Sequence, residues 1–181
     1  MNKKLSILIV TLKSRENLFL NLKRILKNQI TPEVEVLVSC DEKEHTIGYK
    51  RNNLLQSATG DYVCYVDDDD LVSPFYISKI LKAIENKPDC VGLRGVIILK
   101  GIGPRIFEHS VQIKSWYEKN NIYYRCPNHL NPIKREIAQS VGFPDISNQE
   151  DRAFSFNIQG KLKTETLIEE PVYYYYPSSE D

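Results

Sequence analysis

Gly60-Asp61-Tyr62-Val63-Cys64-Tyr65-Val66-Asp67-Asp68-Asp69-Asp70 sets a short apolar run directly in front of four consecutive carboxylates. An apolar, aromatic-rich run of this length, stopping abruptly at charge, reads as a strand buried on both faces whose carboxyl end opens into a polar crevice. Like charges gathered at one strand end repel, and raise one another's pKa values unless a cation neutralises them. Magnesium and manganese suit that need, because they take carboxylate oxygens and keep positions open for diphosphate oxygens. A solvated acidic turn capping the next helix is the simpler reading of such a run taken alone. A calcium-binding helix-loop-helix is excluded: counting from Asp67, the positions that require glycine and glutamate hold Val72 and Ser78. Phosphoryl transfer through an aspartyl-phosphate on Asp67 stays open here, since such enzymes also place carboxylates after an apolar strand.

Working outward, Leu5 to Thr11 and Val34 to Val38 are two further branched, apolar strands. Between them Ser14 predicts an N-cap for a helix carrying Leu18, Leu22, Ile25 and Leu26 at helical spacing. A second helix is predicted from about Thr46 to Ala58, with Gly60 placed to end it. Beyond the aspartates, Ser73 and Pro74 predict the start of a helix bearing Ile77, Ile80, Leu81 and Ile84, and Val91 to Leu99 forms a fourth strand. Repeated strand-helix units imply an α/β fold: a mostly parallel central sheet with helices on both faces. Ligands of such sheets bind beyond the strands' carboxyl ends, where Asp41 and the aspartate run both fall. After Gly101-Ile102-Gly103-Pro104 the pattern loosens into mixed elements. These are short strands near residues 105–108 and 122–125, a polar loop at 128–132, a brief helix over 135–141, a helix from Glu150 to Gly160, and a last strand over 172–176. Ser178 to Asp181 reads as a disordered tail.

The bulk properties narrow the class. A chain of 181 residues suits one domain. Lysine plus arginine equals aspartate plus glutamate at 24 each, so no basic excess points to nucleic acid. Cys40, Cys64, Cys90 and Cys126 are widely spaced, and Cys40 and Cys64 lie in or beside apolar runs. They read as reduced core thiols of a cytoplasmic protein rather than a disulfide framework or zinc site. No run approaches the ~20 apolar residues needed to span a bilayer, and Met1 to Leu5 leads straight into a strand, so neither a transmembrane nor a targeting segment is expected.

Taken in order, these features resemble the inverting nucleotide-sugar glycosyltransferases of family 2, which have the GT-A, Rossmann-like fold. The resemblance rests on the opening strand and its helix; on Val34-Glu35-Val36-Leu37-Val38-Ser39-Cys40-Asp41; on Arg51-Asn52 leading to the Gly-acidic-Tyr strand and its DxD element; and on Val141-Gly142-Phe143-Pro144-Asp145 followed by Glu150-Asp151. It implies a single GT-A domain over 1–181, with residues 1–99 holding a nucleoside-diphosphate sugar and 100–181 supplying the acceptor side and catalytic base. Carried over, Asp41 contacts the base, Asp67 and Asp68 lie at the ribose and metal side, and Asp69, with Asp67, ligates Mn2+ or Mg2+. Thr11 and Arg51 are further candidate nucleotide contacts. Asp151 is the implied general base and Glu150 its catalytic partner. A saccharide, lipid-linked or protein-linked acceptor is implied, with a UDP-sugar favoured as donor. The family's Pro and Thr-Tyr-Asn after the first strand are replaced by Val10-Thr11-Leu12-Lys13, and the Gln-x-x-Arg-Trp element of processive synthases is missing. Single-sugar transfer is therefore expected, with an acceptor site that is open or completed by a partner. A phosphatase using Asp67, or a non-catalytic nucleotide-sugar-binding module, are the alternatives.

Four features read as ordinary structure. His129, beside asparagines, is a loop hydrogen-bonding residue. Tyr173 to Tyr176 form a strand packing alternately on core and surface. Gly101-Ile102-Gly103 is a turn, lacking the third glycine of a dinucleotide loop. Trp116 and Tyr117 could line an acceptor groove or pack into the core.

Overall fold

A computed structural model describes residues 2–99, 101 and 103–176. The chain runs β1 (Leu5–Leu12), a 3-10 turn (Lys13–Arg15), α1 (Glu16–Lys27), β2 (Val34–Asp41), α2 (Ile47–Ser57), β3 (Tyr62–Tyr65), β4 (Leu71–Val72), α3 (Tyr76–Ile84) and β5 (Cys90–Leu99). It continues through β6 (Gly103–His109), β7 (Tyr117–Lys119), β8 (Ile122–Arg125), β9 (Ile133–Lys134), α4 (Arg135–Gln139), α5 (Glu150–Gln159) and β10 (Glu165–Tyr175).

Side-chain alternation along the first strands explains both helical layers. Successive residues of a strand face opposite sides. Leu5, Ile7 and Ile9, with Tyr62, Cys64 and Val66, share one core with Leu22 and Leu26 of α1 and Ile77, Ile80 and Ile84 of α3. Leu8, Val63 and Tyr65 share the other with Leu54 and Leu55 of α2, Ala138 of α4, and Phe154 and Ile158 of α5. The expected α/β sheet covered on both faces is what forms.

The strands make one ten-stranded sheet in the order β2-β1-β3-β9-β5-β6-β8-β7, with β10 pairing β5 and β4. β2, β1 and β3 are parallel, as are β5 and β10. In the later, mixed half β9 runs antiparallel to β3 and β5, and β6 runs antiparallel to β5 but parallel to β8. Tyr173 and Tyr174 of β10 pair with Val72 and Leu71, immediately after the aspartates. The two halves of the chain are thus interleaved at the site.

Several boundaries differ from the sequence reading. Ser14 lies inside the 3-10 turn, and α1 begins at Glu16 with no side-chain cap. Ser73 accepts the Phe75 N–H (3.2 Å) in a turn ahead of α3, which starts at Tyr76. Gly60 lies beyond the end of α2 at Ser57, and its N–H bonds Ser6 Oγ (2.9 Å) on β1. β10 begins at Glu165 rather than 172, because its acidic first half and Pro171 conceal a strand that pairs continuously with β5 apart from register shifts around Pro171. Cys64, Cys90 and Cys126 are buried as free thiols, whereas Cys40 is exposed. The tail at 178–181 lies outside the described residues.

α2 is capped by Thr46, whose Oγ1 accepts the Tyr49 N–H (3.0 Å) and bonds Asp145. Gly48 then donates to the Ile146 carbonyl (2.9 Å), and a Cβ there would overlap the Pro144 carbonyl. Gly48→Ala is expected to destabilise the fold by about 1–3 kcal/mol, the cost of overpacking against backbone. An unchanged denaturant midpoint would show that this loop yields freely.

Candidate active site

The four aspartates have four different surroundings. Asp67 Oδ1 accepts from Arg51 Nη2 (3.1 Å), its Oδ2 meets His129 Nε2 (3.1 Å), and its N–H donates to the Tyr173 hydroxyl (3.2 Å). Burial works to raise the Asp67 carboxyl, but His129, then Arg51 and Arg15, hold it well below the usual range. With both oxygens engaged, Asp67 is poorly placed as a phosphoryl nucleophile. Asp68 is buried, accepts from Thr11 Oγ1 (2.6 Å), and has a raised carboxyl because desolvation outweighs Thr11 and Arg15. One nitrogen, Arg15 Nη2, stands 2.6 Å from both an Asp68 and an Asp69 oxygen. Asp70 is fully buried, receiving the Tyr173 hydroxyl (2.7 Å) and the Tyr176 N–H (2.8 Å). None of them caps α3, so the simple acidic-turn reading fails.

Asp70 makes the turn pH-sensitive. Burial, reinforced by the charge on Asp67, pushes its carboxyl up from 3.8 to about 8. A folded-state pKa above the unfolded value means that the native state holds the proton more tightly. Its stabilising contribution is full below pH 3.8 and is lost as pH rises to about 8. Relative to Asp70→Asn, the wild type is therefore expected to lose thermal stability between those limits and to change no further above them. A pH-independent difference in Tm between the two proteins would contradict this.

Arg51 draws together three segments that are far apart in sequence. Its buried guanidinium pairs with Asp67 through Nη2 and with Glu150 Oε1 through Nη1 (3.2 Å), and lies 5.5 Å from the ring centres of both Tyr65 and Phe143. The neighbouring Asn52 clamps Phe143, donating to its carbonyl (2.8 Å) and accepting its N–H (2.9 Å). Gly142, at φ +65, makes the turn that permits this clamp. Glu150 is buried against Arg51 at the start of α5, and lines neither cleft described below. Its geometry is that of a residue positioning Arg51, and only Asp151 opens outward, 36% exposed.

Two clefts meet at Asp67. The larger, about 610 Å³, is lined by Thr11, Arg15, Lys50, Arg51 and Asp67 to Asp69, with Tyr175 and Tyr176 on its rim. Asp41 is not among its lining residues. Its carboxylate accepts from Lys50 Nζ (2.6 Å) and from the N–H groups of Lys43 (3.3 Å) and His45 (3.1 Å), and Lys50 chiefly keeps it below its usual range. Lys50 lines the cleft and Asp41 does not, although the Lys50 side chain is 4% exposed and that of Asp41 13%. The smaller cleft, about 90 Å³, contains Asp67, His129 and Asp151. His129 is buried, and its Nδ1 has no hydrogen-bond partner among the described residues and lies 4.0 Å from Asp151 Oδ2.

Of the residues singled out from sequence, Thr11, Arg51, Asp67, Asp68 and Asp69 line the larger cleft, and Asp151 lies across Asp67 from them. Arg15 and Lys50 are not among the sequence candidates, and His129 and Tyr173 read from sequence only as a loop residue and a strand residue. Only Arg15 had a local signal, a cation just after the first strand. His129 is brought in by the Tyr65 N–H bonding its carbonyl (2.8 Å), a pairing no sequence spacing reveals. Among the described residues, no three of His, Cys, Asp and Glu form a closed metal cage. Two carboxylates converging on one cationic nitrogen suit a different kind of ion, one that uses one or two carboxylates and completes its shell with water and phosphate oxygens.

Comparison with known proteins gives consistent matches. The profile described as glycosyl transferase family 2 covers residues 21–142. Glucosyl-dolichyl phosphate glucuronosyltransferase of Haloferax volcanii is 31% identical over 64 residues, which are 35% of this chain and 20% of that protein. Among solved structures, S. aureus TarS 1–349 matches with a TM-score of 0.72 at 16% identity, over 96% of this chain and 60% of that one. The same S. aureus protein in complex with UDP-GlcNAc matches at 0.73 and 16% identity, over 97% and 59%. This chain spans about three-fifths of those structures and one-fifth of the curated relative.

Proposed function

Because the chain belongs to glycosyl transferase family 2 and carries the GT-A fold, we propose that it moves a single sugar from a nucleoside-diphosphate sugar to an acceptor hydroxyl, with inversion and with Mn2+ or Mg2+. The observation that carries this reading is the sharing of Asp67 by two clefts, one rich in cations and carboxylates and one containing Asp151. Arg15 and Lys50 offer the larger cleft the positive charge that an anionic diphosphate requires. A UDP-sugar is favoured because TarS, of the same fold, is solved with UDP-GlcNAc and with UDP. The acceptor is a saccharide, lipid-linked or protein-linked, and four free thiols suit a cytoplasmic setting. Among the described residues, no helix is long and apolar enough to cross a membrane.

Thr11 and Arg51 fix the orientation of Asp68 and Asp67, and Asp41 holds Lys50 toward the donor. A divalent cation held by Asp69 and Asp67 would stabilise the charge developing on the leaving diphosphate. Asp151 takes the proton of the attacking acceptor hydroxyl. His129, between Asp67 and Asp151, ties the position of the base to that of the donor carboxylates. Residues 1–99 therefore supply most of the donor cleft and 100–181 the acceptor side, with Tyr175 and Tyr176 crossing back.

The test is a thermal-shift screen of nucleotide-sugars with and without manganese, followed by donor hydrolysis on the hits. Metal-dependent stabilisation by a UDP-sugar is the expected result. If no nucleotide-sugar stabilises the protein in a metal-dependent way, the reading is overturned.

A further inference from the structure

We propose that the surface beside Asp151 is an acceptor subsite built for a saccharide carrying a phosphate group, an inference that rests on the transferase reading above. Trp116 and Phe156 are 37% and 46% exposed, and their rings stack at 6.0 Å. The Arg125 guanidinium lies 4.7 Å from the Trp116 ring centre and that of Arg152 lies 5.8 Å from it, with Arg152 also 5.7 Å from Phe156. Two cations are thus held against one indole.

Among the described residues, neither Arg125 nor Arg152 comes within ion-pair distance of a carboxylate; Arg15, Arg51, Arg94 and Arg105 do, and Arg24 and Arg135 do not. Two guanidinium groups gathered on one aromatic surface repel each other, so an anion arriving there removes an existing cost as well as forming new bonds. Planar guanidinium forks match phosphate oxygens, and a phosphate monoester carries about −1.5 to −2 charges, close to what two arginines offer. The exposed rings supply a flat apolar surface for the C–H face of a sugar. An uncharged sugar would use the rings and leave both arginines as they are.

The patch is continuous with the chemistry. Arg125 lines the same small cleft as Asp67, His129 and Asp151, and Arg152 follows Asp151 at the start of α5. A sugar resting on Trp116 is therefore beside the residue assigned to deprotonate it.

Trp116 is the single tryptophan of the chain, so intrinsic fluorescence reports on this surface directly. Glucose 6-phosphate, used as probe, is expected to give a saturable fluorescence change with an affinity about tenfold or more above that of glucose, the gain of one charge-assisted contact, and above that of inorganic phosphate, which lacks the ring, and glucuronate, which lacks the phosphate. The change is expected to weaken as salt rises, and to be lost in the Arg125→Gln/Arg152→Gln double variant. The exposed single variant Arg152→Gln serves where the double variant does not fold, and is expected to weaken binding. Equal responses to glucose, phosphate or glucuronate, or an undiminished response in the variants, would overturn the proposal. Metal-dependent donor hydrolysis by the wild type, measured in parallel, separates the two levels. Its absence counts against the transferase reading, and its presence with a failed titration counts against the phosphate subsite alone.

Discussion

Replacing Asp151 by asparagine is expected to slow sugar transfer by about 10²- to 10⁴-fold, the usual worth of a positioned general base, while donor binding stays as it was. The substitution keeps shape and removes only the ability to accept a proton. Asp151 is open to solvent, while the adjacent Glu150 is buried against Arg51, so within the pair only Asp151 can reach an acceptor hydroxyl. His129 Nδ1, 4.0 Å away and without a hydrogen-bond partner among the described residues, is placed to steady the carboxylate. Transfer and slow donor hydrolysis are the rates to measure, with metal-dependent thermal stabilisation by the donor as the binding control. An unchanged transfer rate would remove Asp151 from the mechanism, and is also the outcome a non-catalytic nucleotide-sugar-binding module predicts.

Asp69→Asn is expected to act on binding as well as on rate. Even substitutions in the outer shell of a metal site lower its affinity roughly 10- to 100-fold, so loss of a direct carboxylate ligand is expected to cost about 100-fold or more in manganese affinity. Donor binding should fall with it, because the diphosphate loses its shared cation. The geometry favours Asp69 because it is the carboxylate with the fewest internal ties. Asp70 is sealed by Tyr173 and Tyr176, Asp68 is buried on Thr11, and Asp67 is shared by Arg51 and His129. The Arg15 nitrogen between Asp68 and Asp69 marks a position that a cation can take over. Calorimetric titration of manganese with and without a nucleotide-sugar reads both effects. Equal metal affinity in Asp69→Asn and wild type would move the ligand assignment elsewhere in the run. Together the two variants distinguish a lost base, which spares binding, from a lost metal ligand, which does not.

The fold was legible where burial writes a period into the chain. Strands covered on both faces must be apolar throughout, so β1 and β3 stand out, and helices covered on one face must repeat every three or four residues, so α1 and α3 do also. β10 was only half visible, because Glu165, Glu169 and Glu170 obscure a strand whose pairing with β5 is made by backbone. Helix starts were misplaced at Ser14 and Ser73, because capping residues were available there but the chain turned differently before each helix.

The site divides along the same physical line. The sequence by itself determined the carboxyl-end crevice, the aspartate run, Arg51 and the Glu-Asp pair, since each sits within an ordered local pattern. Only the tertiary structure decided what each carboxylate touches. Glu150 turns inward to Arg51, Asp41 pairs with Lys50, and Asp70 is shut away by Tyr173, while His129 enters from a loop to stand between Asp67 and Asp151. A carboxylate's role depends on the charges and donors within a few ångströms of it. Here those partners come from β1, α2, α5, β10 and the loop before β9, segments that only the closed sheet brings together.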